Sequence, residues 1–270
     1  KTNYKFHKVD IFNREDVFKL FHEYQFTDVI HLAAESHVDN SIANPLLFVE
    51  TNIVGTLNLL DAFRSVSSGR FHHVSTDEVY GDLNEFDSAF TEKNPYNPSS
   101  PYSASKASSD LIVRAYHRTY NLNIVITNCS NNYGPHQHHE KFIPTIISSI
   151  LHNKQIPIYG SGKNIRDWLH VEDHVEALDL IFHQGHSGET YNIGANNEVS
   201  NLELVYLISD ICLEKKIHQD PRGLISFVKD RLGHDNRYAI CSKKLYEQLK
   251  WQSSIDFKQG LSMTIDWYMK

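Results

Sequence analysis

"RFHHVSTDEVYG", residues 70–81, places two adjacent carboxylates, Asp77 and Glu78, directly after a mostly apolar run. The run has the length and composition of a buried strand. An unpaired carboxylate inside a packed core costs several kcal/mol, so an acidic pair at a strand end must be solvated, paired or used. Taken alone, "TDE" reads equally as a helix start with acidic residues in its first turn.

Working outward, "DVIHLAA" gives a second buried strand, and "YKFHKVDI" near the start reads as a strand ending at Asp10. "REDVFKLFHEY" puts Val17, Phe18, Phe21 and Tyr24 on one helical face, with Asn13 as N-cap. A long helical pattern runs from about Asn44 to Phe63 and accepts Pro45 in its first turn. Beyond residue 81, Ser100 and Pro101 open a helix through about Tyr120, and "NIVITNCS" is a further strand. Strands alternating with helices predict a parallel sheet covered on both faces, with ligands at the carboxyl ends of the strands. Asp77 and Glu78 stand at such an end. After "NNYGP" the rhythm loosens into a helix from Phe142, a short strand "IPIYG" and a helix around Asp173 to Phe182. The strand "ETYNIG", a helix from Leu202 to Leu213 and helices around Lys243 and Phe257 complete a smaller second region.

A formal net charge of -7, from 26 Lys and Arg against 33 Asp and Glu, argues against a nucleic-acid surface. Cys129, Cys212 and Cys241 lack metal-type spacing and are odd in number, which suggests neither a zinc site nor a disulfide framework and fits a reducing, cytoplasmic setting. The apolar stretch "FIPTIISSIL" is too short to span a bilayer and no charged leader opens the chain, so no membrane partner is expected. "HQHH", residues 136–139, sits in a chain with 17 histidines. No carboxylate or histidine at helical spacing completes a metal site there, and a solvated loop with no metal is expected.

"SPYSASK" places Tyr102 and Lys106 one helical turn apart on a common face. An ammonium at about 5 Å favours a phenolate by roughly 3 kcal/mol at an effective dielectric near 20, about two pKa units. Many surface helices carry this pair by chance, but here "HLAAESHV", "STDEVYG" and "PYSASK" follow one another in order. With "TNIVGT", "TNCSNNYGP", "GSGKNIRDWLHVEDH", "GETYNIG" and "RLGHDNRYAI", the sequence resembles the extended short-chain dehydrogenase family, and within it the nucleotide-sugar 4,6-dehydratases, over nearly its whole length.

The resemblance implies an α/β fold: a Rossmann-like doubly wound parallel sheet with a smaller C-terminal α/β substrate domain. Residues 1–133 would form the dinucleotide-binding domain, with 165–186 returning to it, and residues 134–270 would mainly bind the nucleotide sugar. It implies NAD as cofactor, a dTDP-sugar as substrate and a homodimer packed through helices near Asn52 and Ser108. Hydride leaves carbon 4 of the sugar, water is eliminated across carbons 5 and 6, and the hydride returns to carbon 6. Tyr102 with Lys106 would act at the first step, Asp77 as acid and Glu78 as base in the elimination, and Thr76 on the 4-hydroxyl. Asp10 and Ile11 would meet the adenine, Leu32, Ala33 and Ala34 the cofactor diphosphate with Thr51 nearby, and Tyr102 with Lys106 the ribose and nicotinamide. For the nucleotide sugar the resemblance points to Asn132, Lys141, Phe142, Tyr159 stacked on the thymine, Arg166, Asn201, Arg231 and His234. Leu232 stands where the family has proline.

A dinucleotide fold also needs a glycine-rich turn after its first strand and an acidic residue about 20 residues further on. Neither is present, and Gly160 and Gly162 read as an ordinary turn. The first strand, that turn, the first helix and the second strand are expected to be missing from this sequence, with omission preferred over a natural truncation because the downstream positions are intact. Two other readings stand beside the dehydratase: a 4-epimerase or decarboxylase of the same family, which would lack the Asp and Glu pair, and a non-catalytic fragment that binds a nucleotide sugar.

Overall fold

The computed structural model describes residues 3–270. Helix α1 (Arg14–Tyr24) leads into β1 (Val29–His31) and α2 (Val38–Ala43). A continuous helical path follows through α3 (Pro45–Phe48), a π-helical stretch Val49–Val54 and α4 (Gly55–Val66), and ends at β2 (Arg70–Thr76). A 3₁₀ turn, Asp77–Tyr80, precedes α5 (Pro101–Tyr120), β3 (Asn123–Cys129) and β4 (Asn131–Tyr133). The chain continues through α6 (Phe142–Leu151), β5 (Ile156–Tyr159), β6 (Ile165–His170), α7 (Val171–Gln184), β7 (Thr190–Ile193) and β8 (Glu198–Ser200). It ends with α8 (Asn201–Glu214), β9 (Ile225–Val228), α9 (Lys243–Leu249) and α10 (Phe257–Tyr268).

Local chemistry accounts for the helix starts. The Asn13 side chain accepts the Asp16 N–H at 3.3 Å, and at α5 the Ser100 hydroxyl accepts from Ser103 N while the Ser103 hydroxyl accepts from Ser100 N. Each such cap satisfies backbone donors that the first turn leaves open.

The main sheet is parallel, in the order β1-β2-β3-β7. Alternation along β3 sends Ile124 and Ile126 toward Val17, Phe21, Leu60, Phe63 and Phe71, beneath α1, α4 and α5. Val125 faces the other way, toward Ala177, Ile181, Tyr191, Leu245 and Trp251 of α7, β7, α9 and the segment after it. Burying each large side chain stabilises the fold by about 1.5–3 kcal/mol, so both faces must be covered, as in doubly wound proteins. The second region has its own core, where Ile143, Ile146 and Ile150 of α6 meet Leu204 and Ile208 of α8, Leu261 and Ile265 of α10, and Ile156 and Ile158 of β5.

The structure corrects four expectations. Tyr4–Ile11 forms no strand. No described segment offers it a hydrogen-bonded ladder, and Tyr4 and Phe6 are exposed. β1 is a three-residue edge strand with Ile30 and Leu32 exposed, because only β2 pairs with it. The helix expected from Asn44 to Phe63 runs from Pro45 to Val66 with a π-helical stretch inside it, and α2 precedes it unforeseen. That path is also longer than "FIPTIISSIL" and, by length and composition, long and apolar enough to cross a membrane. Part of it is buried here against α1 and α5.

Candidate active site

β2 carries its carboxyl end to the middle of the sheet, where Asn128 of β3 pins it. One Asn128 amide donates both to Thr76 O (3.1 Å) and to the Asp110 carboxylate of α5 (3.2 Å). Thr76 then caps the following turn, its hydroxyl accepting from Glu78 N at 3.3 Å. The turn closes on Gly81, at φ +92, where a Cβ would lie 2.2 Å from Asn97 O, so only glycine fits. This geometry buries Asp77 and leaves Glu78 facing a cavity of about 460 Å³.

Asp77 has one carboxylate oxygen, Oδ2, that is buried without a partner, and the other accepts from the Thr76 hydroxyl at 3.3 Å. Burial, then the Glu78 and Asp167 charges, raises its pKa well above the ordinary aspartate range against the opposing pull of Arg166. Glu78 is also raised by burial, but Arg166 and Lys141 oppose the shift. The pair therefore holds one strongly proton-retaining acid beside one whose charge is supported, which is the division of labour an acid and a base require.

The cap on α5 sets Tyr102 and Lys106 over the same strand end, both buried. The Tyr102 phenol has a pKa raised far above the ordinary phenol value, first by burial, then by the Glu78 and Cys129 charges. The raised value runs against the expectation that Lys106 favours the phenolate, and the Lys106 ammonium donates to Val74 O at 2.8 Å. Burial lowers the pKa of Lys106, with Asp110 opposing.

The cavity lies between the strand ends and the second region, and Asn132, Lys141, Phe142, Tyr159, Arg166, Asn201, Arg231 and His234 all line it with Glu78. Thr76, Asp77, Tyr102 and Lys106 are buried and do not line it. The Asn132 amide donates to Ser130 O (3.0 Å), while its carbonyl oxygen is buried and unpartnered. Lys141 donates to Ser36 O at 2.6 Å. Arg166 is buried with its guanidinium 4.2 Å over the Tyr238 ring, and it donates to Asp235 O, Ile165 O and Asn236 O. Its fork is thus largely engaged by backbone. Arg231 lies 4.7 Å over the Tyr159 ring, so one face of that tyrosine is taken. Leu232, beside it, is 74% exposed and fills nothing. Sequence reasoning missed Ser36, Asp39, Asp235 and Tyr238, which also line the cavity. Ser36 lies in "HLAAESHV", read only as a family marker, and Asp39 directly follows that stretch.

Asp10, Ile11, Leu32, Ala33, Ala34 and Thr51 do not line this cavity. Asp10 is exposed and accepts from Phe12 N, Ile11 packs on Gly55, where a Cβ would lie 2.6 Å from it, and Thr51 is half-buried on the π-helical stretch. Leu32, Ala33 and Ala34 leave the end of β1 in a loop clasped by Asn52, which accepts from Glu35 N (2.9 Å) and donates to Glu35 O (3.0 Å) and to Ser105 (2.8 Å). The nicotinamide half of a dinucleotide fits these residues. Lys106 is buried yet uses one of its three N–H donors, leaving two for a ribose hydroxyl, and exposed Leu32 offers apolar surface at the neighbouring strand end. For the cofactor diphosphate, the described residues supply no glycine-rich turn.

"HQHH" is a surface loop. His138 and His139 are exposed and the His136 ring lies 4.6 Å from the Trp267 ring, tilted by 57°. A carboxylate does reach the pair, contrary to the sequence reading: Glu140 comes within 3.6 Å of His138, and all three side chains are exposed.

A doubly wound parallel sheet with a Tyr and Lys helix and an acid pair at the strand ends, opening on a cavity rimmed by Arg and Lys, defines a Rossmann-type enzyme for a small anionic substrate. The model of the GDP-mannose 4,6 dehydratase family matches residues 1–264, and the chain belongs to that family. It is 50% identical over 281 residues to the dTDP-glucose 4,6-dehydratase of Haemophilus influenzae, covering 98% of this chain and 83% of that one. Among solved structures, the dTDP-glucose 4,6-dehydratase of Streptomyces venezuelae, crystallised with NAD, superposes with a TM-score of 0.91 at 41% identity, covering 98% of this chain and 79% of that one. The UDP-glucose 4-epimerase of Thermotoga maritima, at 25% identity, superposes with a TM-score of 0.90, over 100% of this chain and 85% of that one.

Proposed function

We propose that the chain dehydrates dTDP-glucose to dTDP-4-keto-6-deoxyglucose with NAD as resident cofactor. The buried Asp77 carboxyl, its Oδ2 without a partner, beside the cavity-facing Glu78 carries this reading, because an elimination needs a proton donor and a proton acceptor side by side. The relatives at 41–50% identity named as dTDP-glucose 4,6-dehydratases support it over the epimerase. The residues at the first sheet form the cofactor-bearing part, and those around the cavity's far wall bear the nucleotide sugar.

Bound NAD supplies reversible two-electron chemistry and a positive ring charge. Lys106 would hold its ribose, and Leu32 to Ala34 would flank it. Tyr102, steered by Thr76, accepts the 4-hydroxyl proton as carbon 4 becomes a ketone. In the resting chain the phenol keeps its proton, so its work as a base depends on positive charge arriving beside it. The ketone acidifies carbon 5, and Glu78 takes that proton while Asp77 gives its own to the oxygen on carbon 6, which leaves as water. After carbon 6 is reduced, Glu78 returns a proton to carbon 5. Arg231, Lys141, Asn132, Asn201 and His234 bind the nucleotide and diphosphate, and the free edge of Tyr159 borders the base.

Turnover of dTDP-glucose in deuterated water checks the mechanism by mass spectrometry and NMR. Deuterium is expected at carbon 5 of the product; a deoxysugar product without it would reject Glu78 as an exchanging base.

Exposed Leu46 and Val49 on the Pro45–Val66 path and Leu111 on α5 form the apolar surface that we assign to a second copy of the chain. Light scattering should return a dimer mass that Leu111→Glu lowers. The three unpaired cysteines suit the reducing cytoplasm, where we place the enzyme.

A further inference from the structure

The cavity that should receive a diphosphate already contains a carboxylate. Asp39 stands in the first turn of α2 and lines the cavity with Arg231 and Tyr159. Its Oδ2 accepts from Arg231 Nη2 at 3.0 Å and from the Tyr159 hydroxyl at 3.4 Å. The partners are 192 and 120 residues away, so a single oxygen on the sheet-bearing part gathers two groups from the far wall. A second tie, Lys141 to Ser36 O, lies on the same loop.

Arg231 is poorly served by this arrangement. Only one of its five N–H donors reaches the carboxylate, and its Nε is buried without a partner. A guanidinium prefers two parallel bonds to one anion, and phosphate oxygens with more charge provide them. The Asp39 contact is also partly wet, with side-chain exposures of 35% for Asp39 and 24% for Arg231, so it is readily exchanged.

We propose that Asp39 is an internal anion that occupies the diphosphate's place on Arg231 in the resting chain and yields it to the nucleotide sugar on binding. The proposal rests on the substrate reading above. Until a ligand arrives, Asp39 keeps Arg231 laid over Tyr159 and gives the pocket a charge balance in spite of Arg231 and Lys141. When phosphate oxygens take the guanidinium, α2 and the loop from Ser36 lose one of their three hydrogen bonds across the cavity and keep those to Tyr159 and Lys141. Asp39 thereby sets the affinity for the diphosphate, and only for that part of the ligand.

Calorimetry with dTDP and with thymidine on the full chain, as Asp39→Asn and Asp39→Ala beside the unaltered protein, tests this. Both variants are expected to bind dTDP more tightly, by up to about fivefold, the range that removal of a partly exposed competing ion pair allows. Thymidine affinity should not move, and the gain should shrink in high salt. A general loosening of the pocket cannot produce a gain confined to the charged ligand. Unchanged or weaker dTDP binding would make Asp39 a passive buttress of Arg231 and overturn the proposal, as would an equal gain for thymidine. An unaltered protein that binds thymidine but not dTDP, or neither, would overturn the substrate reading itself and the exchange with it.

Discussion

Replacing His72 with leucine should flatten the acid side of the stability curve. His72 sits in the central strand β2, fully buried, with Nε2 3.2 Å from the Thr127 hydroxyl and Nδ1 unpartnered. Burial, reinforced by His73, His174 and Arg70, lowers its pKa from 6.5 to about 3. The folded value lies below the unfolded one, so between pH 6.5 and about 3 the unfolded chain binds the extra proton. Stability from this group is therefore complete above pH 6.5 and falls as the pH drops. Near pH 5 the loss is about 2 kcal/mol, with a slope approaching 1.4 kcal/mol per pH unit. Urea unfolding of the unaltered chain and of His72→Leu at several pH values between about 7.5 and 5 measures it. The difference in stability between the two proteins should change by about 2 kcal/mol across that range in favour of the variant at low pH. A constant difference would show that water reaches the ring or that the strand opens before the histidine charges, and the buried-neutral account would fail.

Other consequences concern the site. Glu78→Gln should still oxidise the sugar, seen as a rise in reduced nicotinamide absorbance on adding dTDP-glucose, while product release falls by about 10²–10⁴ through loss of the base. Normal product formation in that variant would assign the base elsewhere. Asn52→Leu strips the clasp from both backbone groups of Glu35 and should cost about 1–3 kcal/mol per group left unpaired, read as a lower melting temperature. NAD affinity should fall with it, because the loop Leu32–Ser36 would no longer be held; unaltered NAD binding would separate that loop from the cofactor. His174, whose pKa burial lowers to about 4, should add a loss of the same sign as His72 over the same range below pH 6.5, so that His174→Leu also reduces the slope of the acid unfolding series.

Much of the architecture was legible because its causes are local. Asn13 and the Ser100–Ser103 pair announce helix starts within four residues, and the apolar runs of β2 and β3 carry the period that buries both sheet faces. Motif order set the acid pair at the end of β2 and Tyr102 at the start of α5. The failures were of another kind. Tyr4–Ile11 has the composition of a strand, but a strand exists only where a neighbour supplies a ladder. The spacing of Tyr102 and Lys106 gave their common face, yet not the direction of the ammonium, which Val74 O decides from another element.

Residue order was thus sufficient for the doubly wound plan, several helix starts and the family, since each depends on neighbours in the chain or on motifs kept whole. Ionisation and partnership were settled only by folding. The Tyr102 phenol is held neutral first by burial and then by the Glu78 charge from a different turn, and Asp39 meets Arg231 across 192 residues. Electrostatic energies depend on distance and burial, and neither is a property of position along a chain.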